Sequence, residues 1–195
     1  MIRSGRRGAI LRITWLAYVT DTDDKASAPH LILVGLPGVG KTTIGKEVAR
    51  KLGRAFLDFD QEIERRSGME VREIFRLKGE DYFREMEFDL TKELSSTGGM
   101  VLSPGGGWIT QSKSVELLRS AGRIIYLRAS PEAVARRLRR VETRPLLAGR
   151  DPVVALTELY EKRRSLYETA DFVIDTQRFA RQQLITKVVE LASTV

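Results

Sequence analysis

Short apolar runs alternate with segments of helical periodicity along most of the chain. The apolar runs predict five strands, at 31–34, 56–59, 100–102, 123–127 and 172–174. Segments with apolar residues every three or four positions predict helices at 42–52, 60–66, 71–77, 80–94, 112–121, 131–140, 153–167 and 179–191. Continuous apolar strands that alternate with helices indicate a parallel sheet covered by helices on both faces, which is an α/β fold.

Two stretches lack this alternation. Residues 141–152 show no periodicity and contain two prolines and Gly149 among alternating charges, which predicts a mobile loop. Residues 1–28 begin with several arginines, continue into a short apolar patch at 13–19 and then turn acidic. Such a start fits a disordered extension, a misassigned start codon or an organelle-targeting peptide. We therefore divide the chain into an extension, 1–28, and one domain, 29–195.

The segment GLPGVGKT joins the first predicted strand to the first predicted helix. It matches GxxxxGK followed by Ser or Thr, the P-loop motif, in the strand-then-helix setting that this motif requires. Its glycines allow positive φ, so that backbone N–H groups can converge on phosphate oxygens at the start of a helix. Lys41 can place its charge on the β- and γ-phosphates, and the Thr42 hydroxyl can bind Mg²⁺. The predicted ATP-binding residues here are Gly35, Leu36, Pro37, Gly38, Val39, Gly40, Lys41, Thr42 and Thr43.

Asp58 and Asp60 lie two residues apart at the end of the second predicted strand. Both side chains should therefore project the same way at the carboxyl edge of the sheet, where ligands bind in open α/β folds. One carboxylate could support Mg²⁺ and the other could orient a substrate hydroxyl. The alternative is that Asp60 only caps the helix that follows.

Three consecutive glycines, Gly105, Gly106 and Gly107, follow the third predicted strand. They indicate a place where the backbone lies against a ligand, because three glycines in an ordinary loop would only add conformational entropy to the unfolded chain. Arg84 and Arg163 are candidates for anion binding. Taken alone, each arginine is more simply explained as a solvated surface charge.

Composition narrows the classes of function. The 195 residues include 33 Lys and Arg, 26 Asp and Glu and no cysteine, for a formal net charge of +7. No apolar run approaches the roughly twenty residues that span a bilayer. The lack of cysteine excludes thiol catalysis and disulfides and agrees with a reducing compartment. The positive charge suits nucleic acid or small polyanions, but aromatic residues that could stack on bases are sparse among the arginines.

His30, the single histidine, opens the first strand and is predicted to be a surface or strand-edge residue rather than a base.

Six motifs occur in an order and spacing that resemble the shikimate kinase family. They are GLPGVGKT with the following TIG, LDFD, GEDYFREME, LSPGGG, RPLL and RRSLY, and they run from about Pro29 to the C-terminus. The P-loop alone would indicate only a superfamily, whereas the six together are specific. The resemblance implies a three-layer αβα P-loop NTPase fold with a five-stranded parallel sheet in the order 2-3-1-4-5 and a mobile lid at about 141–152. One departure is Phe59, between the two aspartates, where the family usually has a small polar residue.

The resemblance also implies an activity, the phosphorylation of the 3-hydroxyl of shikimate by ATP in aromatic amino acid biosynthesis. It implies a cytoplasmic, monomeric enzyme that needs Mg²⁺ and binds neither nucleic acid nor membrane. By similarity, Asp60 binds shikimate hydroxyls and accepts the proton of the attacking one, while Asp58 supports Mg²⁺ through water. Arg84 and Arg163 resemble the pair that binds the shikimate carboxylate, for which a planar guanidinium suits bidentate contact.

Further site residues follow from the same similarity. Residues 105–107 match backbone contacts to the shikimate ring, and Arg144, in RPLL, matches the lid arginine that closes over the transferred phosphate. Arg137 and Arg178 are weaker matches to residues near adenine. The residues predicted to act in catalysis are Lys41, Asp60 and Arg144.

Two alternative functions stay open on the sequence. A kinase of another small hydroxylated acceptor, such as gluconate or a nucleoside monophosphate, would share the P-loop and the lid. Arg84, Arg163 and the three glycines favour a small carboxylated ring instead. A non-catalytic nucleotide- or RNA-binding protein would use the positive charge, but it has no use for the two aspartates.

Overall fold

The computed structural model describes residues 28–138 and 150–194. In this part of the chain, five strands form one sheet: β1 His30–Val34, β2 Phe56–Asp58, β3 Val101–Ser103, β4 Gly122–Arg128 and β5 Phe172–Asp175. All neighbouring strands are parallel, and their order is β2-β3-β1-β4-β5. The predicted sheet and its order are confirmed. The predicted extension, 1–28, lies outside the described residues except for Ala28, so it stays a prediction.

The helices of the described residues cover both faces of this sheet. They are α1 Lys41–Leu52, α2 Phe59–Ser67, α3 Val71–Lys78, α4 Glu80–Leu94, α5 Ser112–Ala121, α6 Pro131–Arg137, α7 Pro152–Tyr167 and α8 Arg181–Ala192, with a short 3-10 helix at Trp108–Thr110. The predicted bounds lie within two residues of these, except for α6, which was predicted to reach 140 and ends at Arg137. Within residues 28–138 and 150–194, none of the helices combines the length and apolar character needed to cross a bilayer.

The core is built around β1. All five of its residues are buried, because β3 and β4 pair with its two edges and helices lie over both faces. This burial explains why the first apolar run is continuous rather than alternating. A second, smaller apolar cluster of Ile63, Ile74 and Phe83 joins α2, α3 and α4. That cluster fixes the helix that carries Arg84.

The end of the second strand differs from the prediction. The sequence predicted a strand at 56–59, but β2 ends at Asp58, and Phe59 is the first residue of α2. The Asp58 carboxylate accepts hydrogen bonds from the backbone N–H groups of Asp60 (3.1 Å) and Gln61 (3.4 Å), so Asp58 caps the helix. Asp60 is therefore not the helix cap that the alternative interpretation assigned to it. Phe59 is fully buried and adds an apolar side chain to the core.

His30 is buried, so its prediction as a surface or strand-edge residue was wrong. Its Nε2 lies 3.1 Å from the carbonyl oxygen of Leu94, and the Met100 N–H donates to its Nδ1 at 3.2 Å. β1 is the central strand of the sheet, so even its first residue is enclosed by its neighbours. Position along the chain could not show this, although the strand order that the family resemblance implies already puts the first strand in the centre.

The burial of His30 predicts a pH dependence of stability. Burial lowers the pKa of His30 below the ordinary value of 6.5. Between the folded and unfolded pKa values the unfolded chain binds more protons, so the stability contribution is present above pH 6.5 and is lost as the pH falls towards the folded pKa. We expect the free energy of unfolding to fall more steeply below neutral pH in the wild type than in His30→Gln, by up to about 1.4 kcal/mol per pH unit. Urea unfolding at a series of pH values measures this, and parallel curves would contradict it.

Candidate active site

The loop between β1 and α1 has the backbone conformation that a P-loop requires. Gly35, Gly38 and Gly40 have φ values of 143°, 90° and 112°, all in the region that favours glycine. A Cβ at Gly35 would lie 2.7 Å from the carbonyl oxygen of Leu127, so space as well as conformation excludes a side chain there. Because α1 begins directly after the loop, its N-terminal N–H groups lie beside it and favour an anion.

Lys41 is the first residue of α1, and its side chain folds back over the loop. Its Nζ donates to the carbonyl oxygens of Gly35 at 3.1 Å and Leu36 at 3.3 Å. The residue is only 9% exposed. The loop thus holds the ammonium group beside its own backbone, where a bound phosphate would be the natural counter-ion.

Thr42 and Asp58 bring two oxygen ligands together. The Thr42 hydroxyl donates to Oδ2 of Asp58 at 2.7 Å, which joins the first turn of α1 to the end of β2. Hydroxyl and carboxylate oxygens are the donor type that Mg²⁺ prefers. Nowhere in residues 28–138 and 150–194 are three or more His, Cys, Asp or Glu side chains grouped to hold a metal. Mg²⁺ at this pair would therefore take its other ligands from water and nucleotide phosphates, which is its usual habit.

Asp60 reaches the site from a helix rather than from a strand end. It lies in the first turn of α2, so the alternation of side chains along a strand does not explain how Asp58 and Asp60 come together. That part of the prediction was wrong. Both residues nevertheless line the same cavity. A Cβ at Gly105 would lie 3.0 Å from Oδ1 of Asp60, so this carboxylate packs against the three consecutive glycines.

Residues 105–107, which we call the glycine segment, lack side chains for reasons of space. None of the three has a positive φ, so their conformation does not require glycine. A Cβ at the first would lie 2.7 Å from Oε1 of Glu87, and one at the second would lie 2.9 Å from Cγ of Pro37. One at the third would overlap the Arg84 guanidinium. The segment is therefore packed between the P-loop and α4.

Arg84 is held at the glycine segment by two carboxylates. Its Nη2 lies 2.7 Å from Oε1 of Glu80, and its Nη1 lies 2.5 Å from Oε2 of Glu87. Its side chain is only 17% exposed, so it is not the solvated surface charge that a lone arginine suggests. On α4, Glu80 lies one turn before Arg84 and Glu87 lies three residues after it, so the two acids fix the direction of its guanidinium.

Glu87 is a buried acid that was not predicted from the sequence. It is fully buried, and its Oε2 also accepts a hydrogen bond from Nε2 of Gln111 at 2.9 Å. Its Oε1 has no hydrogen-bond partner among the described residues. Burial raises the pKa of Glu87 to about 7, although the charge of Arg84 opposes this rise. The available signal was its spacing, since Glu87 follows Arg84 by three positions on a helix.

Arg163 contacts the same segment from a helix that follows it much later in the sequence. It lies on α7, is 8% exposed, and donates from Nη1 to the carbonyl oxygen of Gly106 at 3.0 Å. The structure therefore brings Arg84 and Arg163 to one short stretch of backbone. Neither residue faces bulk solvent.

One cavity of about 530 Å³ joins most of these groups. Its polar lining includes Lys41, Thr42, Asp58, Asp60, Arg84 and the glycine segment. Val71, Phe75 and Phe83 add an apolar wall. The cavity thus combines a phosphate-binding loop, two carboxylates, a guanidinium and an apolar surface, which suits a polyanion beside a small, partly apolar molecule.

Of the predicted arginines that the structure describes, only Arg84 lines this cavity, and Arg163 meets it through the carbonyl of Gly106. Arg137 donates from Nη1 to the Thr176 hydroxyl at 3.1 Å, and Nε of Arg178 lies 3.6 Å from Oδ2 of Asp175 with its side chain 74% exposed. Neither lines the cavity, and their contacts with adenine stay predictions. Arg144 lies outside the described residues, as does most of the predicted lid at 141–152, so these two also stay predictions.

Fold and site together define a class of protein. A parallel sheet in this order, a P-loop with its lysine and threonine, and a carboxylate in the same cavity are the parts of a P-loop kinase. The phosphate-binding side is built by the loop and α1. The opposite side of the cavity is built by α2, α3, α4 and the glycine segment.

Comparisons with known proteins give the family. A sequence model of the family described as shikimate kinase matches residues 37–193. A protein named shikimate kinase from Burkholderia thailandensis is 44% identical to this chain, over 84% of this chain and 91% of its own length. One from Thermodesulfovibrio yellowstonii is 38% identical, over 83% of this chain and 93% of its own length. A solved shikimate kinase from Acinetobacter baumannii in complex with shikimate has a TM-score of 0.81 at 39% identity, covering 88% of this chain and 96% of that one. The chain belongs to the shikimate kinase family. A gluconokinase from Sinorhizobium meliloti, at 15% identity and a TM-score of 0.58, shares the fold alone.

Proposed function

We propose that this chain transfers the γ-phosphoryl group of ATP to the 3-hydroxyl of shikimate, giving shikimate 3-phosphate and ADP, as an enzyme of aromatic amino acid biosynthesis. The observation that carries the proposal is the placement of two guanidiniums at the glycine segment, beside Asp60 and the P-loop: Arg84 lines the cavity, and Arg163 donates to the carbonyl of Gly106. Two guanidiniums suit a carboxylate, and a nearby aspartate suits a hydroxyl on the same small ring. Shikimate carries both groups.

The reaction follows from these positions. Asp60 accepts the proton of the 3-hydroxyl as its oxygen attacks the γ-phosphorus, the new oxygen–phosphorus bond forms, and the bond to the bridging β-γ oxygen breaks so that ADP leaves. Lys41 stabilises the negative charge that spreads over the transferred group. The P-loop N–H groups hold the remaining phosphates in line with the acceptor.

Mg²⁺ dependence is part of the proposal. Thr42 and Asp58 would hold the ion, and when bound it would neutralise charge on the β- and γ-phosphate oxygens. The hydrogen bond between these two side chains supports their pairing as ligands, because it already places both oxygens at one point of the cavity. A monomeric state and a cytoplasmic location complete the proposal, and the lack of cysteine agrees with the latter.

The direct test is ADP release that depends on shikimate. We expect ATP and Mg²⁺ to give ADP rapidly with shikimate and at background rates with gluconate, with a nucleoside monophosphate or with no acceptor. Equal turnover with gluconate would overturn the choice of acceptor. Salt-sensitive binding to an oligonucleotide without phosphate transfer to any small alcohol would instead favour the non-catalytic alternative.

Arg163 and its neighbour Arg164 form a matched pair for testing the acceptor site. We expect Arg163→Ala to raise KM for shikimate by about 10- to 100-fold, because a charge-assisted contact to the substrate carboxylate is lost. Arg164 is 56% exposed and pairs with Glu168 on the surface of α7, so Arg164→Ala should behave like the wild type. Steady-state kinetics with each substrate varied measures both. Equal effects of the two variants would remove Arg163 from the site.

A further inference from the structure

The carbonyl of Gly106 is held by two side chains of α7. Nη1 of Arg163 and the hydroxyl of Tyr167 each donate to this oxygen at 3.0 Å. The two residues are four positions apart on one helix, so they lie on the same face, one turn from each other. A backbone oxygen with two lone pairs can accept both hydrogen bonds at once.

The other two carbonyls of the glycine segment are held differently. The oxygen of Gly105 accepts the backbone N–H of Trp108 at 3.0 Å, and that of Gly107 accepts the N–H of Thr110 at 3.0 Å. These are local contacts of the 3-10 turn that follows. Among the hydrogen bonds of the described residues, only the middle carbonyl of the segment is fixed by side chains from a distant helix.

Gly106 lies where the two halves of the cavity meet. A Cβ there would lie 2.9 Å from Cγ of Pro37, so its backbone packs directly against the P-loop. The glycines on either side pack against Asp60 and Arg84. Its carbonyl and the N–H of Gly107 belong to one planar peptide unit, so fixing the oxygen also fixes the direction of that N–H.

Tyr167 acts on this segment without reaching the cavity. It is fully buried, and its ring stacks on that of Tyr126 with centroids 4.9 Å apart and an angle of 14° between the planes. Burial raises the pKa of Tyr167 to about 12, so its hydroxyl keeps its proton and stays a donor at neutral pH. A group in this position cannot touch a bound acceptor. It can determine where the backbone and the guanidinium that meet the acceptor are held.

We propose that Tyr167 is a positioning residue of the acceptor site: by sharing the Gly106 carbonyl with Arg163, its hydroxyl fixes the glycine segment and keeps the other guanidinium donors of Arg163 available to the acceptor carboxylate. The inference rests on the proposed function, since it needs a carboxylated acceptor at this place. Without the hydroxyl, Arg163 would be the sole side-chain donor to that carbonyl, and the peptide unit could tilt. The effect should therefore fall on the acceptor and leave ATP untouched.

Tyr167→Phe tests this, because it removes the hydroxyl and keeps the stacked ring. We expect KM for shikimate to rise about fivefold, the size of one neutral hydrogen bond, with kcat and KM for ATP within about twofold of the wild type. Tyr167→Met, which keeps an apolar side chain there without a donor, should show the same selective change and serves if the phenylalanine variant does not fold. The thermal midpoint of each variant reports its folding.

Tyr126→Phe is the matched control. The Tyr126 hydroxyl is buried in the same ring stack but has no hydrogen-bond partner among the described residues, so its loss should leave all kinetic constants unchanged. A rise in KM for shikimate of the same size in Tyr126→Phe would show that the ring stack, not the hydroxyl, is responsible, and would overturn the proposal. So would an unchanged KM in Tyr167→Phe, or an equal rise in KM for ATP.

A double-mutant cycle separates positioning from general stability. Arg163→Lys changes the other donor to Gly106, so the two substitutions should not act independently. We expect the change in KM for shikimate in the double mutant to differ by about threefold or more from the product of the two single changes. Independent effects would contradict a shared role. A wild-type protein without shikimate-dependent ADP release would overturn the proposed function itself, whereas an active wild type with an unaffected Tyr167→Phe overturns only this inference.

Discussion

Asp60→Asn is expected to lower kcat with shikimate by about 10³-fold, since general acid–base groups commonly contribute 10² to 10⁴. The amide keeps the size of the carboxylate and can still bind a hydroxyl, but it cannot accept the proton that the attacking oxygen loses. The Kd for ATP should stay within about twofold, because Asp60 touches the glycine segment on the acceptor side and the P-loop is unchanged. Single-turnover rates together with equilibrium ATP binding measure the two quantities separately.

Asp81→Asn is a close control for this change. Asp60 lies in the first turn of α2 and Asp81 lies in the first turn of α4, so each carboxylate interacts favourably with the dipole of its own helix. Asp81 is exposed and should be kinetically silent when replaced. If kcat held steady in Asp60→Asn, or fell equally in both variants, the assignment of Asp60 as the proton acceptor would be wrong.

The features predicted well from the sequence are those that local backbone rules determine. The P-loop was predictable because its glycines adopt positive φ and stand between an apolar run and a helical pattern, all within about a dozen residues. The family and the strand order came from six motifs in a fixed order, and both are confirmed. The bounds of the helices followed from apolar periodicity because each helix buries one face against the sheet or against neighbouring helices.

Side-chain environments that depend on distant contacts were predicted wrongly or not at all. His30 was misplaced because its position at the start of β1 does not show its contacts with Leu94 and Met100, which lie more than sixty residues away in the sequence. Asp58 was assigned to a strand without its role as a helix cap, which depends on where the chain turns. Glu87 and Tyr167 went unnoticed because a polar side chain on a helix is predicted to face solvent. Both pack against the glycine segment, and Glu87 also contacts Gln111; these partners lie far from them in the sequence.

The family resemblance and the geometry also differ in what they say about Phe59. The resemblance marked it as a departure from the usual small polar residue between the two aspartates. In the structure it points into the core as the first residue of α2, fully buried. Both neighbouring carboxylates line the cavity, one from the last residue of the strand and the other from the first turn of the helix. The departure therefore changes the packing beneath the site and leaves the two carboxylates in place.

Lys41→Met is expected to lower kcat by about 10³-fold and to weaken ATP binding as well. The carbonyls of Gly35 and Leu36 hold the ammonium group at the loop. The positive charge is therefore already in place to stabilise the transition state, and the side chain need not move when the reaction occurs. Methionine keeps most of the length and the apolar stem of lysine and removes the cation, so the loop should keep its backbone conformation.

The control for the lysine is Lys46 on the same helix. Its ammonium lies 5.9 Å from the centre of the Phe56 ring on the exposed side of α1, where the loss of one positive charge should change kcat by less than about twofold. Comparing Lys41→Met with Lys46→Met in the same assay distinguishes the local effect of a charge held at the phosphates from the long-range electrostatic effect of a chain with a net charge of +7. If both variants lost activity equally, long-range electrostatics would account for the effect, and Lys41 would have no special role in the transition state.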